Sequence, residues 1–267
     1  MHVTEEELSI IIEGRHLHAR KWTPADPRVS APTILLFHDS IGSVELWRDF
    51  PRKLAAATGM TVVAYDRLGF GRSDAFPGKL PFSFIHDEGH KVAPLLCDAL
   101  GLGAIIALGH SVGGGMAIAT AAALGERCLG VIAMSAQSYV EVLTLDGVRE
   151  ARENFSRPGQ LERLARYHGN KAAWALSAWI DTWLDPAYGD WTLDAELARV
   201  QCPALIIHGD TDEYGTTEHA RRIHEKVGGP SRLVILEDCG HIPHREQAER
   251  VMAEIKAFLN TISPRPV

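Results

Sequence analysis

The sequence predicts an α/β protein: a mostly parallel, doubly wound sheet with a helical insertion. Three observations predict it. Six short runs, at residues 33–37, 61–65, 104–108, 129–134, 204–207 and 233–236, are apolar along nearly their whole length. Runs of that kind belong to strands buried on both faces, as in a parallel sheet covered by helices. Segments of helical length separate them, at 44–57, 84–100, 112–124, 218–227 and 247–259, and this alternation is the α/β pattern. Between residues 138 and 200 the alternation stops. No buried strand is legible there, and Trp174, Trp179, Trp183 and Trp191 supply four of the six tryptophans.

Taken in order, the chain begins with two strand-like segments, Leu8 to Ile12 and His16 to Trp22, flanking Glu13-Gly14-Arg15, which reads as an N-terminal hairpin. A loop punctuated by Pro24, Pro27 and Pro32 leads into the first buried run. Residues 1–137 and 201–267 then form the core, and residues 138–200 form a helical insertion. Its tryptophans have two readings. They pack the insertion's own small core, or they lay an apolar wall over a site, with Trp179 and Trp183 as candidate substrate contacts.

Composition excludes several classes. At 267 residues and 46% hydrophobic, the chain buries a full core. A net charge of −7 without a basic stripe argues against a nucleic-acid partner. Cys97, Cys128, Cys202 and Cys239 lie singly, so neither a disulfide framework nor a cysteine zinc site is expected. The acidic start, Thr4-Glu5-Glu6-Glu7, lacks the apolar stretch of a secretory signal, and no run reaches the roughly 18–20 residues of a membrane span. The expectation is a soluble cytoplasmic protein, monomer or homodimer, without membrane partners.

Chemistry enters at Gly109-His110-Ser111-Val112-Gly113. This G-x-S-x-G joins the apolar run 104–108 to a small-residue helix that begins Gly114-Gly115-Met116-Ala117. A serine at such a strand-to-helix turn is pushed out of the backbone, beside a free N–H at a helix N-terminus. Its hydroxyl needs a base, and the base needs an orienting group. Two later runs supply candidates. Asp210-Thr211-Asp212 follows the run 204–207, and His241 follows Glu237-Asp238-Cys239-Gly240 after the run 233–236. Active groups in open parallel sheets gather at the carboxyl ends of strands, where Ser111, Asp212 and His241 all fall.

With these residues in hand, the chain resembles the α/β-hydrolase family over nearly its whole length. His38-Asp39-Ser40-Ile41-Gly42-Ser43 with Trp47 is similar to the family's H-G-x-x-G-S…W oxyanion loop. Asp66-Arg67-Leu68-Gly69-Phe70-Gly71-Arg72-Ser73 is similar to its D-x-x-G-x-G-x-S turn. Gly209 to Asp212 matches its G-x-x-D acid turn, and Gly240-His241-Ile242-Pro243 its G-H-x-P loop. The order Ser, Asp, His is the family's order. The resemblance implies an α/β-hydrolase fold with a cap and a Ser111–Asp212–His241 triad. It also implies an oxyanion hole made by the N–H groups of Ser40 and Val112, with no metal or organic cofactor.

The implied activity is hydrolysis of a small ester, lactone or thioester through an acyl-enzyme. Carbon–carbon hydrolases, cofactor-free haloperoxidases and ligand receptors share the scaffold. Serine at position 111 sets the chain apart from family members that use an aspartate nucleophile.

Other residues have plainer readings. Asp210 competes with Asp212 but suits a turn role, and His244 competes with His241 as the base. His38, His110 and His208 abut the site without a carboxylate or cysteine arrangement that completes a metal set. Arg152, Arg157, Arg163 and Arg166 are candidate anion contacts or a solvated helix face. Asp39 stands where the family carries glycine, either as a structural residue tolerating an unusual backbone angle or as a candidate polar substrate contact. A carboxylate beside a developing oxyanion opposes catalysis unless solvated or paired, so its side chain is expected to point to solvent or to Arg67.

Overall fold

In the computed structural model, which describes residues 2–28 and 30–262, the hairpin consists of β1 (Val3–Ile12) and β2 (Arg15–Pro24). Residues 1, 29 and 263–267 of the expected core lie outside the described residues. The chain continues through β3 (Thr33–Phe37), α1 (Phe50–Thr58), β4 (Val62–Tyr65), α2 (Phe84–Asp87) and α3 (Ala93–Ala99). Next come β5 (Ile105–His110), α4 (Val112–Leu124) and β6 (Cys128–Met134). The insertion holds α5 (Val142–Phe155), α6 (Gln160–His168), α7 (Ala172–Leu184) and the one-turn α8 (Asp194–Leu197). The chain then closes with β7 (Ala204–Gly209), α9 (Thr217–Lys226), β8 (Ser231–Leu236), α10 (Pro243–Glu246) and α11 (Ala248–Leu259).

The eight strands pair in the order β1-β2-β4-β3-β5-β6-β7-β8. The hairpin is antiparallel and joins β4 antiparallel; every later pairing is parallel. The chain runs from β3 outward to β4, then returns to β5 on the other side of β3. That reversal leaves a crevice at the carboxyl ends of β3 and β5, the usual ligand position in open α/β sheets.

The apolar runs explain the layers. In β3, Leu35 and Phe37 face the core under α3, α4 and α9, while Ile34 and Leu36 face the core under α1 and α11. α4 is buried from Val112 to Ala121, as its uniformly apolar sequence requires. Among the described residues no helix is long and apolar enough to cross a membrane.

Two expected helices differ in detail. The segment 44–57 splits into a 3₁₀ turn at Glu45–Trp47 and α1, with Arg48 at φ 54° between them. Pro51 is the physical reason: it lacks an N–H and suits a first helical turn, so the helix restarts there. The segment 84–100 is continuously helical but widens into a π turn at Glu88–Val92. Pro94 follows directly, with no N–H for the carbonyl four residues back.

Four helices and shorter turns occupy the segment between Ser138 and Val200, and a bridge between Tyr139 and Thr192 ties its entry to its exit. Trp183 sits edge-on to Tyr188 and Trp191, which stack on each other. Trp174 stacks on Phe76 and donates from Nε1 to the carbonyl of Gly78 at 2.7 Å, fastening α7 to the loop after β4.

Candidate active site

Ser111 joins β5 to α4 at φ 56°, ψ −128°. A non-glycine residue held there carries about 1–3 kcal/mol of strain, which persists only where the surroundings enforce it. The enforcement is visible. The Ser111 N–H donates to the carbonyl of Met134 at 2.9 Å, and the flanking glycines admit no side chain. A Cβ on Gly109 would lie 1.9 Å from the carbonyl oxygen of Gly113, and one on Gly113 would lie 2.1 Å from that of Phe37.

His241 and Asp212 come from the loops after β8 and β7. His241 Nδ1 lies 2.9 Å from each carboxylate oxygen of Asp212, so that nitrogen carries the proton and Nε2 is left to face the cavity. Asp212 also accepts from the N–H of Tyr214 at 2.8 Å. Burial acts to raise its pKa, but the hydrogen bond and charge of His241, with His208 and the Tyr214 N–H, hold it below the usual carboxylate range. For His241, burial acts to lower the pKa; the Asp212 hydrogen bond and charge, with the charges of Glu213 and Asp39, outweigh it and raise the value above 6.5.

The loop carrying His241 is fixed from three sides. Its own N–H donates to Glu213 at 3.2 Å, its carbonyl accepts from His110 Nε2 at 2.7 Å, and Glu246 accepts from the N–H groups of Gly240 and Ile242.

Asp66 ties the loop after β3 to β2 and to the loop after β4, accepting from His18 Nδ1 at 2.8 Å and from the N–H groups of Val44 at 2.6 Å and Arg72 at 2.8 Å. His38 donates from Nδ1 to the carbonyl of Asp39 and accepts at Nε2 from the N–H of Arg67, a neutral tautomer. Its burial, with the Arg67 charge, pushes its pKa down to about 3. Among the described residues, neither the Ser40 N–H nor the Val112 N–H donates a hydrogen bond.

Asp39 departs from expectation. The Arg67 guanidinium donates to its backbone carbonyl at 2.8 Å, not to its carboxylate. The carboxylate lines the cavity, accepting from the N–H of Ile41 at 3.1 Å with Oδ2 3.5 Å from His110 Nδ1. Burial alone would raise its pKa, but the hydrogen bond and charge of His110, with His38 and His241, hold it well below the usual range. The local reason is geometric: the Ile41 N–H and the His110 ring both lie on the cavity side, while the guanidinium is taken by the main chain and the Phe70 ring.

Ser111, His241, Ser40, Asp39, Trp179 and Trp183 all line a cavity of about 240 Å³. Its walls also include residues the sequence did not single out: Gln137, Thr144, Val148, Tyr214 and Arg245. Ser111 Oγ donates a long bond of 3.4 Å to Gln137 Oε1, and among the described residues none joins it to His241. In enzymes generally, a nucleophile–base hydrogen bond is often long or unmade before substrate binds.

The competing candidates fall elsewhere. Asp210 is exposed and only approaches the Cys239 N–H, at 3.4 Å. His244 is buried against Trp47, Phe50 and His110. Arg152, Arg157, Arg163 and Arg166 are exposed and line no part of the cavity, the solvated face of the two readings.

Comparison with known proteins agrees with this architecture. The model of the family described as "Alpha/beta hydrolase family" matches residues 34–254, and the chain belongs to that family. Among curated proteins it is 29% identical to human serine hydrolase BPHL, covering 94% of this chain and 85% of that one. It is 25% identical to proline iminopeptidase of Saccharolobus solfataricus, over 76% of this chain and 77% of that one. Among solved structures, the enol-lactonase of Burkholderia xenovorans LB400 superposes with a TM-score of 0.72 at 23% identity, covering 95% of this chain and all, 100%, of that one.

Proposed function

We propose that the protein is a serine hydrolase of small carboxylic esters, lactones or thioesters, acting through an acyl-enzyme on Ser111. The observation that carries this reading is the placement of a strained Ser111 and an Asp212-held His241 on one small cavity. His241 Nε2 takes the Ser111 proton as Oγ attacks the acyl carbonyl, and returns it to the leaving group. Asp212 keeps the imidazole in the required tautomer and stabilises its charged form. The tetrahedral oxyanion sits between the N–H groups of Ser40 and Val112, each worth roughly 10²–10³ in rate. Water then releases the acid by the same proton route.

The relationship to a human serine hydrolase supports the reaction class, and the small cavity supports a short acyl group. Residues 138–200 act as a cap in this reading, since α5 and α7 supply Thr144, Val148, Trp179 and Trp183 to the wall. Nitrophenyl esters of graded chain length, with lactones and thioesters alongside, test the reading. A burst of one equivalent of nitrophenol with short acyl chains is expected; binding without turnover across the panel would mark a receptor instead.

The two tryptophans should separate in effect. Trp179 is half-buried beside Tyr214, so Trp179→Ala should extend the accepted chain length with little change in melting temperature. Trp183 is 3% exposed within an aromatic cluster, and Trp183→Ala should cost about 3–5 kcal/mol as well.

The pH profile carries its own expectation. His241 acts as a base only when neutral, so kcat/KM should fall as pH drops through its pKa, a limb above 6.5. The Asp39 charge helps to raise that pKa, so Asp39→Asn should move the limb to lower pH. A limb unmoved by Asp39→Asn would show that the carboxylate is not ionised beside the imidazole.

A further inference from the structure

Away from the cavity, three side chains with ligand atoms meet where the α2–α3 helical path touches the end of the insertion. His86 lies in α2 and His90 in the π turn that follows; their rings stack 4.1 Å apart at 18°. Glu196, in α8, approaches from the insertion, with Oε1 2.8 Å from His86 Nδ1. One donor atom from each residue lies within 4.8 Å of the others. The Glu196 side chain is 10% exposed, and His90 Nε2 is buried with no hydrogen-bond partner. A polar nitrogen left bare beside a buried carboxylate and a second imidazole is the arrangement that an ion completes.

We propose that His86, His90 and Glu196 bind a divalent transition metal of the zinc type, pinning the insertion's exit to the core. Two imidazoles and one carboxylate suit zinc, whereas magnesium and calcium favour all-oxygen sites. Donors about 2.0–2.2 Å from a tetrahedral ion stand roughly 3.3–3.6 Å apart. The His86–Glu196 pair stands closer than this and must open, and the stacked His86 and His90 rings must turn until both nitrogen lone pairs point at one position.

Arg199 is the charge that opposes an ion here; Asp87 and Glu196 favour one. The His86 side chain is 48% exposed, leaving a solvent-side position for a water ligand. None of the three residues lines the cavity beside Ser111, so the site is structural and separate from the proposed hydrolysis.

The test uses the full chain after chelator treatment, titrated with zinc chloride by calorimetry and thermal melting. One saturable equivalent and a melting temperature that climbs with zinc are expected. His90→Gln and Glu196→Gln should each weaken binding more than about 100-fold and remove the thermal shift. Ester hydrolysis should be the same in these variants. Because Glu196 also bonds His86, a folding defect in its variant is checked against the wild type by histidine ring ¹⁵N resonances. Zinc should shift those of His86 and His90. No stoichiometric binding, unshifted His86 and His90 resonances, or equal binding by folded variants would overturn the site.

Discussion

Replacing Ser111 by alanine is expected to lower kcat for an activated short-chain ester by about 10⁵–10⁶-fold, the scale seen when a triad nucleophile is removed. What survives should be the smaller contribution of the oxyanion donors and of binding, since Ser40 and Val112 are unaltered. Stability should not follow activity. Ser111→Ala keeps a side chain at φ 56° and so keeps the strain, whereas Ser111→Gly relieves it. The glycine variant should therefore melt a few degrees higher than wild type while being equally inactive. An inactive glycine variant with a lowered melting temperature would mean that the serine hydroxyl holds the elbow together, a packing role.

Asp212→Asn is expected to cost about 10⁴ in kcat, because an amide no longer favours the tautomer with the proton on His241 Nδ1. His241 Nδ1 contacts both carboxylate oxygens of Asp212 at 2.9 Å, which is the reason to expect the larger loss there. Asp210→Asn should cost no more than a few-fold, since that side chain faces solvent. The acid limb of kcat/KM should also move to lower pH in Asp212→Asn, because the hydrogen bond and charge that raise the His241 pKa are lost. Parallel steady-state profiles of the two variants check this; a larger loss at Asp210 would reverse the assignment.

Much of this site was legible because its residues sit in short motifs at strand ends. Gly109 and Gly113 report close backbone approach, and the structure shows carbonyl oxygens where their side chains would go. The six apolar runs became β3 to β8 because strands buried on both faces leave an unbroken hydrophobic signal. Cavity residues such as Gln137 and Thr144 carried no local signal, since their proximity to Ser111 arises only when β6 and the insertion pack beside β5. The Asp39 carboxylate was misplaced for the same reason: its His110 neighbour lies on a different strand end, 71 positions away. The His86–His90–Glu196 cluster was hidden likewise. A histidine pair four apart on a helix is common, and the carboxylate that makes it notable comes from the far end of the insertion.

The central claim, a covalent intermediate on Ser111, is tested most directly by mass spectrometry after reaction with a fluorophosphonate. One phosphonyl group per chain should be found, on the peptide containing Ser111, and none should form in Ser111→Ala. Labelling that persists in the alanine variant, or a wild-type adduct on any other residue, would contradict the account.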